Sequence, residues 1–232
     1  MSFSNFKVLT FDVVGTLIDF ERGVLEAVRQ ISGKSAAEFS DDRIFESYKR
    51  GRDAHPERSS EVMAHVYTFL AKELGLPADD RAAESFQMAV LRWPAFADSV
   101  EALRRLRKRF RLVAMTNADR VAFSSYAHTL GNPFDDSVTA DETGCAKPNP
   151  QFFAYNRGRQ SAFGFKFGEI LHVAQSQHHD IGIARALGYK VCWIERRQGL
   201  KGFGGTPAVP VLTKPDYHFA TLSAFADAVE SG

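Results

Sequence analysis

Apolar and polar positions change period along the chain in a way that divides it. The run Val8-Leu9-Thr10-Phe11 reads as a β-strand over 7–12. From about 21 to 92 the spacing turns helical. Leu25, Val28, Arg29 and Ile31 mark one segment, and Ile44, Phe45, Tyr48 and Lys49 a second. Val62, Val66, Phe69, Leu70 and Leu74 form a stripe along one helix face, with Gly75 as a stop and Pro77 just beyond. A further helix over 82–92 ends at Trp93-Pro94. Beyond this point short apolar runs alternate with helical stretches. Helices are expected over 100–109, 121–130, from 151 behind Pro150, and over 180–187 up to Gly188. Strands are expected over 112–115, 137–138, 170–173 and 190–194. The Gly- and Pro-rich stretch 199–215 reads as a loop.

Strands alternating with helices predict an α/β fold, a Rossmann-like parallel sheet with right-handed crossovers. The helical block that interrupts this alternation is then an inserted helical cap over 17–93, and the core is 1–16 plus 94–232. The chain's 232 residues, 44% of them hydrophobic, can form a sizeable core. A formal charge of +1 without a long one-sign block gives no nucleic-acid footprint. The basic run from Arg104 to Arg109, interleaved with Leu106, reads as a solvated helix face. Cys145 and Cys192 provide neither a disulfide framework nor metal spacing, and read as core or near-core residues. No stretch reaches the roughly 20 apolar residues of a membrane span, nor does a leader stand out, so a cytoplasmic protein is expected.

Polar residues gather at the strand ends: Asp12, Thr116-Asn117, Lys147, and Gln175-Ser176 through Asp180. In a parallel sheet all carboxyl ends share one edge, so these groups converge on one crevice. Asp12 is followed by Gly15-Thr16, and Val14 stands where a phosphatase of similar design carries a second Asp.

Phe11-Asp12-Val13-Val14-Gly15-Thr16-Leu17, Thr116-Asn117, Lys147-Pro148 and the Ser176/Asp180 loop resemble the four signature motifs of the haloacid dehalogenase superfamily, over the whole chain. In that superfamily's phosphatases, carboxylates at positions equivalent to 14 and 175 help to hold magnesium. With Val14 and Gln175 here, charge and oxygen ligands for an octahedral Mg²⁺ are lacking, so no metal or other cofactor is expected. The missing second Asp and the segments 116–120 and 172–180 resemble the 2-haloacid dehalogenase-like branch. The chain departs from that branch at Val14, Phe153, Gln177 and His179, where Tyr, Tyr, Asn and Trp are usual. Residues 7–21 and 48–52 are similar to the hydrolases of L-azetidine-2-carboxylate within it.

The resemblance implies displacement at C2 of a small carboxylate, with Asp12 as nucleophile and an ester intermediate. Lys147 keeps Asp12 ionised and helps to neutralise charge in the ester step. Asp180 orients Lys147 and the hydrolytic water, with His179 as a lesser candidate. Ser176 is expected to hydrogen-bond Lys147 or Asp12. Thr116, Asn117 and the backbone N–H groups near Val13 and Val14 suit the substrate carboxylate. Gln175 lies in the same crevice. Arg50 or Arg52 reaches down from the cap, and Tyr48 and Trp93 wall the pocket. Ring opening to 4-amino-2-hydroxybutanoate is the first expectation and (S)-2-haloacid dehalogenation the second. A magnesium phosphatase and a non-catalytic binding protein stay open as alternatives. The expected partner is the small 2-substituted carboxylate, without nucleic acid or membrane, and a homodimer stays open.

Overall fold

A computed structural model describes residues 2–33 and 38–232. Six strands form one parallel sheet: β1 Val8–Phe11, β2 Arg111–Thr116, β3 Asp136–Thr139, β4 Ile170–Ala174, β5 Lys190–Ile194 and β6 Tyr217–Phe219, in the order β3-β2-β1-β4-β5-β6. The chain builds outward from β1 to β3 and then returns to the other side of β1. That reversal opens a crevice at the carboxyl ends of β1 and β4, the usual ligand position in open sheets. β1 is fully buried and pairs with β2 and β4, so residues just past Phe11 sit at the mid-line of the molecule.

Side-chain alternation sends the strand residues into two cores. Leu9, Phe11, Leu112, Ala114, Leu171 and Val173 join one cluster, which extends into the helices between β1 and β2. Val8, Val113, Met115, Ile170 and Ala174 join the other, with Phe152 and Phe153. The latter pair lie on α8, Pro150–Ala162, once the helices are numbered in chain order after α1 Phe20–Ser32, α2 Asp41–Ala54, α3 Met63–Leu74, α4 Asp80–Val90, α5 Ser99–Leu106, α6 Arg120–Thr129 and α7 Ala140–Thr143. The chain closes with α9 Gly182–Ala186 and α10 Leu222–Ser231.

Helices α1 to α4 intervene between β1 and the rest of the sheet and pack on one another. Asp19, Ser40 and Asp79 cap the starts of α1, α2 and α4, each accepting a backbone N–H of the first turn. Gly75 ends α3 in the left-handed region, at φ 66°, where a Cβ would be strained. The chain enters and leaves this insertion at adjacent points, since Ile18 bridges both Val14 and Ala95.

Several details differ from the sequence reading. In α1 the buried face is Phe20, Gly23, Val24, Ala27 and Val28, whereas Leu25 and Ile31 are only half-buried. The phase is set by Gly23, where a close neighbour, not an apolar side chain, fills the space. The helix expected over 180–187 begins as a π-type turn, Gln177–Ile181, before α9. The sequence reading also stops short of the last strand and α10, which follow the 199–215 loop, although α10 buries Leu222, Phe225, Ala226 and Val229 at regular helical spacing.

Trp93 closes the insertion against the core. Its ring lies parallel to Tyr126 of α6, centroids 6.3 Å apart, and tilted against Phe20 at 6.1 Å. The pyrrole edge rests on the bare backbone of Gly23, so that a Cβ there would lie 2.1 Å from Trp93 Cδ1. An indole wedged between two other rings has no room to yield. Gly23→Ala is therefore expected to destabilise the protein by about 1–3 kcal/mol through overpacking. Thermal unfolding should show a melting temperature several degrees lower, and an unchanged value would contradict this packing.

Candidate active site

The reversal point of the sheet carries a buried ionic cluster. Asp12, the first residue after β1, is tied down by its own N–H donating to Val173 O at 3.1 Å. Gly15, at φ 94°, turns the chain back so that its N–H donates to Ile18 O. This tight turn brings Thr16 beneath the carboxylate, and the Thr16 hydroxyl donates to Asp12 Oδ2 at 2.6 Å. The same hydroxyl accepts the Gln175 N–H at 2.8 Å, linking the loops after β1 and β4.

Lys147 crosses the crevice from the loop after α7. Its Nζ donates to Asp12 Oδ1 at 2.8 Å, Asp180 Oδ1 at 2.6 Å and Met115 O at 2.7 Å. All three ammonium protons are thus used, and the side chain is only 1% exposed. Asn117 holds the lysine backbone by a reciprocal pair: Nδ2 donates to Lys147 O at 2.9 Å and Oδ1 accepts Lys147 N–H at 2.7 Å. Below Asp180 lies His172, wholly buried, with Nε2 3.0 Å from Asp180 Oδ1 and Nδ1 2.9 Å from Thr10 Oγ1. Asp180 Oδ2 is buried and has no hydrogen-bond partner among the described residues.

Three charges share this site, and burial opposes each of them. Burial pushes the Asp12 carboxyl up and Asp180's charge adds to this, while Lys147 and Thr16 pull back; the net direction is upward. Burial also acts against Asp180, but the Lys147 charge and the His172 and Lys147 hydrogen bonds bring it down to about 2. The ammonium, despite burial, is held above its ordinary value by the two carboxylates. Asp180 is therefore a fixed anion, and Asp12 is the member of the pair that responds to pH.

Above the cluster is a cavity of about 280 Å³. Asp12, Val14, Asn117, Gln175, Ser176, His179 and Asp180 line it from the sheet edge, and Tyr48, Arg52 and Trp93 from the insertion. These are ten of the residues expected from the sequence. Val13 and Thr116 lie just behind the wall, both fully buried. The Val13 carbonyl accepts the N–H groups of Thr16, Leu17 and Ile18, whereas no acceptor for the Val13 and Val14 N–H groups is found among the described residues. The Thr116 hydroxyl accepts the Ala118 N–H and turns the loop.

Two expectations are corrected, and a third residue has a double role. Arg50 projects away from the cavity and pairs with Glu73 of α3 at 2.7 Å, because it lies on the opposite side of α2 from Tyr48 and Arg52. The Ser176 hydroxyl reaches neither Lys147 nor Asp12. It accepts the His179 N–H at 2.9 Å and lies 3.2 Å from His179 Nδ1, capping the π-type turn. The Asn117 amide positions the lysine with Oδ1 and one N–H, and its second N–H is left on a residue that lines the cavity.

The structure also brings in residues that the sequence reading missed. Arg58 lines the cavity without an ion-pair or hydrogen-bond partner among the described residues; burial, with the neighbouring Arg52 charge, pulls its guanidinium below the ordinary value. Arg52 donates to Glu57 O at 3.1 Å and to the Met63 sulfur. Asp119 caps α6, with Oδ1 accepting the Ala122 N–H at 2.7 Å, while Oδ2 accepts the N–H of Ser60 from the insertion. Thr206 arrives from the 199–215 loop, which is held to α1 by Glu21 accepting the Gly205 N–H at 2.9 Å and pairing with Arg197. Burial drives His179 down to about 4, so its imidazole is neutral at pH 7.

The donor set is poorly suited to the magnesium used elsewhere on such sheets. Both Asp12 oxygens are already engaged, Val14 and Gln175 bring no charge, and among the described residues no group of three or more His, Cys, Asp or Glu could hold a metal ion. Among the described residues no helix is long and apolar enough to cross a membrane.

Residues 6–188 match the haloacid dehalogenase-like hydrolase family, and the chain belongs to it. It is accordingly a hydrolase on a Rossmann-like sheet. The chain is 29% identical over 215 residues to haloacetate dehalogenase H-2 of Moraxella sp. (strain B), covering 89% of this chain and 94% of that one. It is 25% identical over 205 residues to the (S)-2-haloacid dehalogenase of Pseudomonas putida, covering 84% and 87%. Its fold is similar to that of the L-2-haloacid dehalogenase from Xanthobacter autotrophicus with chloropropionic acid covalently bound, at a TM-score of 0.75, 17% identity and coverage of 97% and 98%.

If Asp12 must be ionised to react, activity is lost as pH falls through its raised pKa. The acid limb of kcat/KM should lie above the roughly 3.9 of a free aspartate. Lys147→Met removes the main influence that lowers it, so the limb should move further up and kcat/KM fall by about 100-fold or more. A limb that stays in place in the variant would show that Asp12 is not the titrating group.

Proposed function

We propose that this chain is a metal-independent hydrolase that displaces a heteroatom from C2 of a small carboxylate through an ester on Asp12. The observation that carries this reading is the pairing of a cavity-lining carboxylate with a buried ammonium, with no second acid two residues on. Lys147 donates to Oδ1 and Thr16 to Oδ2, and both also lie near the ester that would form.

In the proposed reaction an Asp12 oxygen attacks C2 and the C2–heteroatom bond breaks. For L-azetidine-2-carboxylate the ring nitrogen is a secondary ammonium, and it departs with the bonding pair as a neutral primary amine. Ring strain drives this step, and no proton from the protein is needed, in keeping with Val14. The aromatic walls Tyr48 and Trp93, with Phe20 and Tyr126 beside them, suit a cationic ring. Water then adds to the Asp12 carbonyl carbon, the ester C–O bond breaks, and 4-amino-2-hydroxybutanoate leaves. Asp180, anionic at neutral pH with Oδ2 free of protein donors, is suited to hold that water, and neutral His179 lies next to it. The residual groups of the cavity suit the substrate carboxylate: Arg58 and Arg52 from the cap, and the N–H groups near Val14.

A second reading, (S)-2-haloacid dehalogenation, is favoured by the Moraxella and Pseudomonas relatives. Halide is stable as it leaves and uses the same two steps. The substrate is the expected partner; a second copy of the chain remains a proposal.

A single turnover in ¹⁸O-water should leave label in the Asp12 carboxylate and none in the first product; label in the product alone would falsify the ester route. Comparing azetidine-2-carboxylate, 2-chloropropionate and p-nitrophenyl phosphate, each with and without EDTA, should show turnover of the first, insensitive to EDTA. Loss of turnover with EDTA would return the phosphatase reading. Arg58→Ala should raise KM about 10–100-fold, as expected for a hydrogen-bonded charge pair, while Arg50→Ala leaves KM within about twofold. Equal effects of the two would remove Arg58 from substrate binding.

A further inference from the structure

The cluster beneath the cavity contains a histidine that the chemistry above does not use. His172 sits in the middle of β4, wholly buried, in a layer otherwise filled by Val8, Ile170, Ala174 and Phe153. Its register partner on β1 is Thr10, also polar and wholly buried. Phe153 meets the imidazole edge-on at 5.5 Å and Tyr189 at 6.4 Å. An imidazole placed there for packing alone would carry a desolvation cost with no return.

The bond to Asp180 has one consistent assignment. Ionised Asp180 can only accept, so Nε2 carries the proton and donates to Oδ1 at 3.0 Å. Nδ1 shares the other hydrogen bond with the Thr10 hydroxyl at 2.9 Å. Thr10, His172 and Asp180 thus form one buried chain of hydrogen bonds. Both donors to Asp180, Lys147 Nζ and His172 Nε2, converge on Oδ1, and neither reaches Oδ2. A carboxylate held on one oxygen by two donors, one from a loop and one from a strand, cannot rotate without breaking one of them. Oδ2 stays buried and unpartnered, on a residue that lines the cavity.

We propose that His172, held on its other ring nitrogen by Thr10, is a positioning residue for the second half of the reaction: it fixes Asp180 so that Oδ2 is presented as the acceptor for the hydrolytic water. This rests on the ester reading for Asp12. The proposal assigns His172 no contact with substrate. It also divides the labour in the cluster. Lys147 touches both carboxylates and acts in both steps, whereas His172 touches only Asp180 and acts only when the ester is hydrolysed.

The test separates the two steps. Enzyme in excess is mixed with (S)-2-chloropropionate or L-azetidine-2-carboxylate and quenched over time, and the mass of the Asp12 peptide is followed. Asp180→Asn serves as the reference that should accumulate the ester. His172→Phe should form the ester at a rate within about threefold of the unmodified protein and hydrolyse it about 10–100-fold more slowly, the range found for groups that orient metal ligands from the second layer. Thr10→Val, nearly the same in shape, should accumulate the ester to a smaller extent, and carries the test if His172→Phe does not fold. His172→Gln, which keeps an N–H donor, should regain part of the hydrolysis rate. Ester hydrolysis at the unmodified rate in His172→Phe and Thr10→Val, beside accumulation in Asp180→Asn, would overturn the proposal. Equal slowing of both steps would overturn it too, since that is the mark of a purely structural role. If no variant, Asp180→Asn included, yields an adduct on Asp12, the ester reading itself fails, a result distinct from the other two.

Discussion

One ammonium shared by two buried carboxylates is the interaction on which the site depends. Lys147 is 1% exposed and has no other means of satisfying its charge, and Asp12 and Asp180 would each be costly to bury without it. The three residues come from separate segments, after β1, after α7 and after β4, so the pairing specifies how those segments meet. Removing the lysine would leave two anions in one dry site, a loss of about 3–5 kcal/mol by comparison with other broken buried pairs. The sheet topology makes the meeting feasible, because the order β3-β2-β1-β4 places all three segments at one edge.

The arrangement also explains why so few groups near the nucleophile remain free. Asn117 holds the Lys147 backbone with Oδ1 and one N–H, Ser176 caps the turn carrying Asp180, and Thr16 is engaged by Asp12 and the Gln175 N–H. A rigid frame of this kind keeps a nucleophile aligned without help from the ligand. Most of what is left to contact a ligand comes from elsewhere: Arg52 and Arg58 from the insertion, and Thr206 from the C-terminal loop. On the proposed reading, the charged groups that receive the substrate and the groups that react thus come from different parts of the chain.

How much of this was legible in the sequence follows the same division. Asp12 directly follows an apolar strand, Asp180 lies in the turn after another, and Lys147 lies in a loop beyond β3, so their convergence could be read from the alternation of elements. The partners chosen by Asn117 and Ser176 could not, because a polar residue at a strand end is compatible with a ligand contact, a cap or a loop tie. Arg50 could have been set aside: Tyr48 and Arg52 lie four residues apart on one face of α2, and Arg50 falls on the other. Arg58 follows α2 in a stretch without periodicity, where no pattern indicates direction. Thr10 and His172 were hidden for another reason. Within apolar runs they look like ordinary strand residues, and only the parallel register of β1 against β4 makes them neighbours. The switch from α1's apolar residues to Gly23 as the centre of its buried face depended on Trp93, seventy residues away in sequence.

Asp119 connects two scales of this molecule. One of its oxygens completes the first turn of α6, and the other accepts a peptide N–H from Ser60, two residues beyond Arg58. On the proposed reading, the guanidinium that receives the substrate's carboxylate is therefore tethered to the sheet-side helix by a very short arm, not carried solely by the four-helix body. The interval between anion recognition and the attacked carbon is set like a fixed gauge. Breathing of α1 to α4 could widen the entrance while that gauge, and with it selection for ligand length, stays constant.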